Sequence, residues 1–280
     1  MRIGIVYTRA RPEEKLLVQA ANDLGIEIVQ IHDEHISLDN ALLNPVFHDL
    51  NAVLIRTLSL NRAIVIAQYL QRWDIPCFNT SQVLELTGDK WATSLMLSKS
   101  GIPTPNTSVS FTQRGAVESV ERIGFPIVSK PLSGSWARMV SKCNDIEALE
   151  AVMEHKAFMN GKAKINYLQE FVEKPGRDLR IFILGEQAIC GITRNSEHWI
   201  TNTARGATTA NLELTEEMHR ICSEIGRAIP NSILAIDLME SEDGLVVHEI
   251  NGTMEFRNSI ETTGVNIPAR ILQFIQSMVE

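Results

Sequence analysis

Two carboxylates and an amide stand in a pattern that can hold a divalent cation. They lie in Ile233-Leu-Ala-Ile-Asp237-Leu-Met239 and Leu245-Val-Val-His-Glu249-Ile-Asn251, two apolar runs separated around Glu242-Asp243-Gly244. Glycine in third position suits a three-residue hairpin loop whose last residue is left-handed. That register sets Ser241 against Leu245 and, counting back, Asp237 against Glu249. Directly opposed residues have Cβ atoms ~4.5–5.5 Å apart, and Asn251, two residues past Glu249, shares its face. Facing carboxylates repel unless a cation lies between them. Hard oxygen ligands with room left for phosphate oxygens describe magnesium on a nucleotide. A two-residue turn would shift the register and separate the pair, so the cluster depends on the loop. The competing picture is a solvated outer face with unrelated acids, against which stands the interruption of an apolar strand by Asp237.

A second group can carry phosphate. Phe125-Pro-Ile-Val-Ser-Lys130 ends a strand before Pro-Leu-Ser133-Gly134-Ser135-Trp136-Ala-Arg138, a small-residue loop whose backbone N–H groups could cradle an anion beside Lys130. Strand, glycine turn and strand is also an ordinary hairpin. Lys90, in Thr87-Gly-Asp-Lys-Trp91, reads equally as a solvated helix lysine. Tyr167-Leu-Gln-Glu170-Phe171-Val172-Glu173 is an extended segment that could offer backbone groups to an adenine edge, or be an edge strand and turn. Arg177, Asp178 and Arg180 follow it, then Arg194 at a strand end and the polar loop Thr201-Asn202-Thr-Ala-Arg205-Gly206. Arginines near an anion site suit carboxylate or phosphate recognition, but none of them stands alone.

The elements that must position these groups alternate in the first 80 or so residues. Strands are expected over Ile3–Tyr7, Glu27–Ile31, Ala52–Arg56 and Ile75–Phe78, with helices over Pro12 to Leu24 and Arg62–Trp73. That is a small open α/β sheet without G-x-G-x-x-G after its first strand, so no dinucleotide site is expected there. One helix from Ser81 to Ser100 follows, stopped by Gly101-Ile-Pro-Thr-Pro105. A compact lobe of strands and helices runs to Ala157, and strands at 167–172, 179–184 and 188–194 precede a helix over Thr215–Ala228. The acidic hairpin and a closing helix, Pro268 to Val279, complete the chain.

Composition narrows the partners. The chain of 280 residues carries a net charge of −8, which argues against nucleic acid, because phosphate backbones need a basic surface. No apolar run is long enough to span a membrane, and the N-terminal apolar stretch is too short for a signal peptide, so a cytoplasmic protein is expected. Cys77, Cys143, Cys190 and Cys222 are scattered without a C-x-x-C pair, which predicts buried free thiols.

Taken in order, several stretches resemble the ATP-grasp ligases, within them the RimK-like branch, and within that the amino-group carrier protein ligases of the LysX and ArgX type. They are Gly88-Asp-Lys-Trp-Ala-Thr93, Lys130-Pro-x-x-Gly-Ser-Trp136, Gln169-Glu-x-Val-Glu-Lys-Pro-Gly-Arg-Asp178, His198 to Gly206, Asn251-Gly-Thr-Met-Glu-Phe-Arg-Asn258 and Thr262-Thr-Gly-Val265. The resemblance covers most of the chain, even the N-terminal Arg9-Ala-Arg-Pro12 region. It implies an α/β (α+β) ATP-grasp fold behind an N-terminal open α/β pre-ATP-grasp domain, with units over 1–85, 86–165 and 166–280. It implies ATP and two magnesium ions as cofactors, an acyl phosphate intermediate, a small acidic LysW-like carrier protein as partner, and α-aminoadipate or glutamate as the amine.

By position, Lys90 and Lys130 would hold the phosphates with Ser133, Gly134, Ser135, Trp136 and Arg138. Glu170, Phe171 and Val172 would meet the adenine, Glu173 or Asp178 the ribose, with Arg180 beside them. Asp237, Glu249 and Asn251 would bind magnesium. Arg194, Asn202 and Arg205 would clamp the acyl phosphate and the amino-acid carboxylates. Thr253, Glu255, Phe256, Arg257, Asn258, Thr262, Thr263 and Gly264 would line the amino-acid pocket. A basic patch near Arg138, Arg194, Arg205 and Arg257 would receive the carrier's tail, and the resemblance implies a homo-oligomer. Two positions depart from the family pattern: Gly252, where a His usually follows the metal-binding Asn, and Ala137, where a second glycine is usual. Two readings compete: a RimK-like glutamate ligase acting on another protein tail or cofactor, and a nucleotide-binding regulatory module without ligase activity. The intact Asp237, Glu249 and Asn251 set speaks against the second.

Overall fold

The computed structural model describes residues 1–134, 138–201 and 206–280. Three sheets follow one another. The first is parallel, in the order β2-β1-β3-β4, from β1 (Arg2–Tyr7), β2 (Glu27–His32), β3 (Ala52–Arg56) and β4 (Cys77–Phe78). Helix α1 (Pro12–Asp23) covers one face and α2 (Leu60–Arg72) the other. Covered on both sides, β3 is buried at every position, as parallel strands between helices are.

The second sheet is antiparallel, in the order β5-β8-β6-β7, from β5 (Thr107–Ser110), β6 (Ile127–Lys130), β7 (Ser141–Cys143) and β8 (Asn166–Glu170). Its apolar face packs on α5 (Gln113–Ile123) and α6 (Ile146–Ala157). Strand β8 belongs to this sheet, whereas the expected division at 165/166 groups it with the strands after it. The third sheet runs β11-β10-β9-β12-β13, from β9 (Arg177–Leu184), β10 (Gln187–Asn195), β11 (Thr208–Leu212), β12 (Ile233–Ser241) and β13 (Gly244–Asn251). Strand β11 is absent from the sequence expectation; its pattern of exposed and half-buried residues carries no apolar alternation.

Side chains alternate across this third sheet. Ile181, Ile183, Leu234, Ile236 and Leu238 point to α7 (Glu216–Ala228). Phe182, Leu184, Cys190, Ile233 and Ala235 share a core with α1, the first sheet and the closing helix α9 (Ile267–Val279). Both chain ends are thus stapled into one apolar core. Cys77, Cys143, Cys190 and Cys222 are free and buried. Among the described residues no helix is long and apolar enough to cross a membrane.

Two expectations fail locally. The single helix over 81–100 is two helices, α3 (Ser81–Thr87) and α4 (Lys90–Lys99). Asp89 breaks it by turning out of helical geometry and accepting hydrogen bonds from the Trp91 and Ala92 N–H groups. Lys90 thereby becomes the first residue of a helix, and its own N–H donates to the Leu132 carbonyl ahead of the glycine loop. The hairpin turn is also shorter than expected: Ser241 pairs with Gly244, not Leu245. That register alone would carry Glu249 past Asp237. A bulge between Asp237 and Leu238 absorbs His248 as an extra residue and restores the Asp237–Glu249 pair.

Helix α7 crosses the β9–β10 turn so closely that a Cβ at Gly226 would collide with the backbone of Gly185 and Glu186. Backbone cannot swing aside as a side chain can. Gly226→Ala is expected to lower the unfolding free energy by about 1–3 kcal/mol, read from the urea midpoint, while nucleotide affinity stays at the wild-type level.

Candidate active site

The site grows out of the third sheet where its inner face stops being apolar. Continuing along β9 from Leu184 and Phe182, the same face presents Arg180 and Asp178; along β12 from Ile233 and Ala235 it presents Asp237; along β10 from Cys190 and Ile192 it presents Arg194. Register makes two of these cross-strand pairs, Asp237 with Arg180 and Arg194 with Asp178. Both pairs are bidentate. Arg180 Nε and Nη2 donate to Asp237 at 2.7 and 2.8 Å, and Arg194 Nε and Nη2 donate to Asp178 at 2.6 and 2.7 Å. Arg194 Nη2 also lies 3.0 Å from Asp237 Oδ2, which joins the pairs into one network. Burial favours a neutral Asp237, but Arg180 and Arg194 more than offset it and hold the carboxyl well below the usual range. Arg194 loses by burial and gains more from Asp237 and Asp178, so its guanidinium is locked in the charged form.

A cleft of ≈ 380 Å³ opens over this network. From the second sheet comes Lys130 at the end of β6, buried, with Nζ donating to Gln169 Oε1 at 2.6 Å and 3.2 Å from His248 Nδ1. Burial pushes its pKa down to about 7; Lys90 and Lys174 push the same way, and Glu249 pulls against them. Burial, then the Lys130 charge, also drive His248 well below the ordinary histidine value, despite Asp237. From the start of α4 comes Lys90, 3.1 Å from Glu249 Oε1 and 3.0 Å from the Gly134 carbonyl. Two lysines from separate elements therefore reach the hairpin strand β13, Lys90 at Glu249 and Lys130 at the neighbouring His248.

Ligand atoms of Asp237, His248 and Glu249 lie within 4.8 Å of one another. Three hydrogen bonds and ion-pair contacts engage Asp237, out of roughly four lone-pair sites on a carboxylate. It can therefore present one oxygen but not chelate. Asn251 lines the cleft, and its buried amide nitrogen has no partner among the described residues. The carboxylate oxygens of Asp237 and Glu249 with the Asn251 amide oxygen are hard ligands that fit magnesium, and the orphaned Asn251 Nδ2 is a donor suited to a phosphate oxygen.

The remaining expected residues divide. Glu170, Phe171 and Val172 leave β8 along the cleft wall; Glu170 accepts from Asn106 Nδ2 at 2.7 Å, and the Phe171 N–H donates to the Pro126 carbonyl. Gly134, Arg138, Thr253 and Glu255 also line the cleft, whereas Ser133 and the exposed Glu173 stand off its lining. Ser135, Trp136, Asn202 and Arg205 lie outside the described residues.

Four expectations need correction. Asp178 is not available to a ribose, because Arg194 and the Thr201 hydroxyl already occupy its oxygens. Phe256 is core and not pocket wall: it is 1% exposed, with the Arg56 guanidinium 5.6 Å from its ring centroid. Arg194, 4% exposed, cannot belong to a surface patch for a carrier tail. Arg257, Asn258, Thr262, Thr263 and Gly264 belong to α8 (Arg257–Thr263) and its left-handed cap, off the cleft lining. There Thr262 meets Thr209 at 3.1 Å and Thr263 donates to the Ser259 carbonyl.

Several cleft residues escaped the sequence reading. His248 enters through the bulge, and Trp199 stands edge-on to Phe171, with ring centroids 6.0 Å apart. Lys174 donates to Thr201 Oγ1 at 2.8 Å, and Thr201 in turn donates to Asp178, tying Thr201 to the buried network. Gly252, which the sequence did single out as a departure from the family pattern, leaves no room for a side chain, since a Cβ there would stand 2.5 Å from Thr87 Oγ1. Its carbonyl accepts from Asn79 Nδ2.

The sequence falls into known families along its whole length. Residues 87–275 match the RimK-like ATP-grasp domain, and residues 3–86 match the LysX preATP-grasp domain. An alpha-aminoadipate–LysW ligase LysX of Saccharolobus solfataricus is 34% identical over 94% of this chain and 96% of its own. A glutamate–LysW ligase ArgX of Sulfurisphaera tokodaii is 29% identical over 99% of this chain and 98% of its own. A RimK domain ATP-grasp protein from Sphaerobacter thermophilus superposes with a TM-score of 0.81 at 24% identity, covering 99% of this chain and 100% of that one, which shows the ATP-grasp fold.

Two outcomes test this electrostatic layout. Asp237→Asn leaves two arginines facing a single remaining carboxylate in a buried site and is expected to cost about 3–5 kcal/mol of stability, measured by urea unfolding. Lys130 has its folded pKa lowered, so between about 7 and the ordinary lysine value the unfolded chain binds a proton the folded chain does not. Stability should therefore rise with pH across that window. Lys130→Met should remove that part of the slope.

Proposed function

The chain belongs to the RimK-like ATP-grasp family, and we propose that it joins the C-terminal glutamate of a small acidic LysW-like carrier protein to the amino group of α-aminoadipate or glutamate. One observation carries the reading: Lys90 and Lys130, from α4 and β6, converge with the Asp237–Glu249 hairpin on one cleft. That is an arrangement for handling a polyphosphate beside a metal. Similarity to both LysX and ArgX ligases, at full length, supports the carrier as the acid and an acidic amino acid as the amine.

In this reading a carboxylate oxygen of the carrier's terminal glutamate attacks the γ-phosphorus of ATP, and ADP leaves. The amine nitrogen of the amino acid then attacks the acyl carbon, phosphate leaves with the acyl oxygen, and the nitrogen loses its proton. The protein's part is positioning and charge. Lys90 and Lys130 supply positive charge to phosphate oxygens. Magnesium held by Asp237, Glu249 and Asn251 would supply further charge neutralisation at those oxygens. Phe171 and Val172, with Trp199 across from Phe171, offer the apolar walls for a base. Arg180 and Arg194 position Asp237, and through Asp178 the Arg194 network also holds Thr201.

Intact-mass spectrometry of a LysW-like carrier incubated with the protein, ATP and magnesium tests this directly, with α-aminoadipate and glutamate supplied separately. The expected result is a mass gain of one amino acid less water on the carrier, with ADP formed only when carrier and amino acid are both present. No gain with either amino acid, while ATP still binds, would overturn the carrier assignment.

A further inference from the structure

We propose that Arg11 recognises a free carboxylate of the acceptor amino acid, on the cleft wall contributed by the N-terminal sheet. The inference deepens the ligase reading above and rests on it for the identity of the acceptor. Among the described residues that line the cleft, Arg11 is the one cation preceding residue 86.

The guanidinium is built in on one edge and exchangeable on the other. Its Nε and Nη2 donate to the two oxygens of Glu14 at 3.1 and 2.9 Å. Glu14 is buried, and its Oε1 also receives Arg56 Nε at 3.0 Å. Arg56 is itself buried, its Nη1 donating to the Met254 carbonyl at 2.7 Å. That chain of ion pairs fixes the plane of Arg11 from inside the protein. The other edge is different. Nη1 meets Glu255 Oε1 at 3.3 Å, and the Glu255 side chain is 46% exposed. An ion pair with so exposed a partner contributes little. Glu255 therefore holds the place of a carboxylate that an incoming ligand can take.

Geometry favours a carboxylate on a short molecule. A planar fork matches carboxylate oxygens, while Lys90 and Lys130 already serve the phosphate end. Glu255 is four residues beyond Asn251, and four residues span at most about 14 Å when fully extended. A small dicarboxylic amino acid can reach across that interval, with its amine toward the hairpin and one carboxylate on Arg11. The same residue can be offered a carboxylate by the carrier's tail, and the test separates the two.

Titration calorimetry of the full chain with glutamate and with α-aminoadipate, in ADP and magnesium, reads the amino-acid site without the carrier. Arg11→Gln should weaken binding of the acceptor by roughly 10- to 100-fold, the range of a lost charge-assisted hydrogen bond. Glu255→Gln should tighten it or leave it unchanged, because it removes the competing internal carboxylate. A merely structural pair would lose affinity in both variants. Steady-state kinetics should show the KM for the amino acid rising in Arg11→Gln with the KM values for ATP and carrier within twofold of wild type. Should Arg11→Gln fail to fold, Arg11→Lys keeps the charge against Glu14 but not the fork, and a partial loss of acceptor affinity is expected. Unchanged acceptor affinity in the Arg11 variant, a KM effect confined to the carrier, or no amino-acid binding by the wild type would each overturn the inference. Arg11-dependent binding of an amino acid by a protein that adds no mass to the carrier would leave this inference standing and remove the carrier assignment alone.

Discussion

The structure turns on four charges placed side by side on one sheet face: Asp178 and Arg180 on β9, Arg194 on β10 and Asp237 on β12. Burying any one of them alone would cost several kcal/mol. Together they are electrically balanced, and register puts each acid opposite a guanidinium whose fork fits it. The same face a few residues away is core, with Phe182, Leu184, Ile233 and Ala235 packed under α9. The sheet thus changes from hydrophobic floor to ionic floor along the length of its strands, with β9 and β12 paired in one register from Ile233 to Leu238. What stands above that floor is held by it: Asp237 as a fixed oxygen, Thr201 through its bond to Asp178, and Lys174 through Thr201.

A bulge then does what the turn does not. The tight Ser241–Gly244 turn would leave Asp237 and Glu249 out of step, and one extra residue in β13 brings them back opposite each other. The extra residue is His248, which lies beside Lys130 where a straight strand would have carried it elsewhere. Bulges re-aim side chains at functional sites, and here one event both repairs the acid pair and adds an imidazole. The expected pairing was right, but the reasoning behind it, a three-residue loop, was not. Two compensating single-residue shifts are invisible to pattern reading, since a turn sequence of Glu-Asp-Gly serves either loop length.

What was legible depended on whether the signal was local. Alternation along the strands, the proline and glycine at the ends of α1, and the apolar interruption at Asp237 all speak through neighbours in sequence, and they located the sheets and the hairpin. The break at Asp89 was also local, a capping residue after Thr87-Gly88, and it was passed over because apolar residues continue on both sides. By contrast, nothing near Asp178 says that its oxygens are filled by Arg194, sixteen positions away, and by Thr201. Phe256 and Arg194 both sit among polar neighbours that suggest exposure, and only the packing of α9 and of the sheet face buries them. Arg11 was visible only within the Arg9-Ala-Arg-Pro12 stretch that resembles the family, because Glu255 and the Arg56 that shares its partner Glu14 arrive from beyond β13 and from strand β3.

The charge on the whole chain and the charge in the cleft have opposite signs, and this resolves an apparent conflict with anionic substrates. The chain carries −8, yet among the described residues lining the cleft seven are lysine or arginine and five are aspartate or glutamate. A field is set by the nearest charges, and those on the outer surface are screened over about 10 Å at ordinary ionic strength. Within the cleft the acids are not spread evenly either. Asp178 and Asp237 lie beneath the arginines as their counter-ions, Glu249 faces Lys90 and Glu255 faces Arg11, so most acids are matched to a particular base. Lys130 is the exception: its nearest contacts are an amide and a neutral imidazole, and burial lowers its pKa with no carboxylate among the described residues in direct contact to offset it. An anion arriving there would complete the charge balance that the folded chain leaves open, which makes Lys130 the point where binding energy and the strain of burial meet.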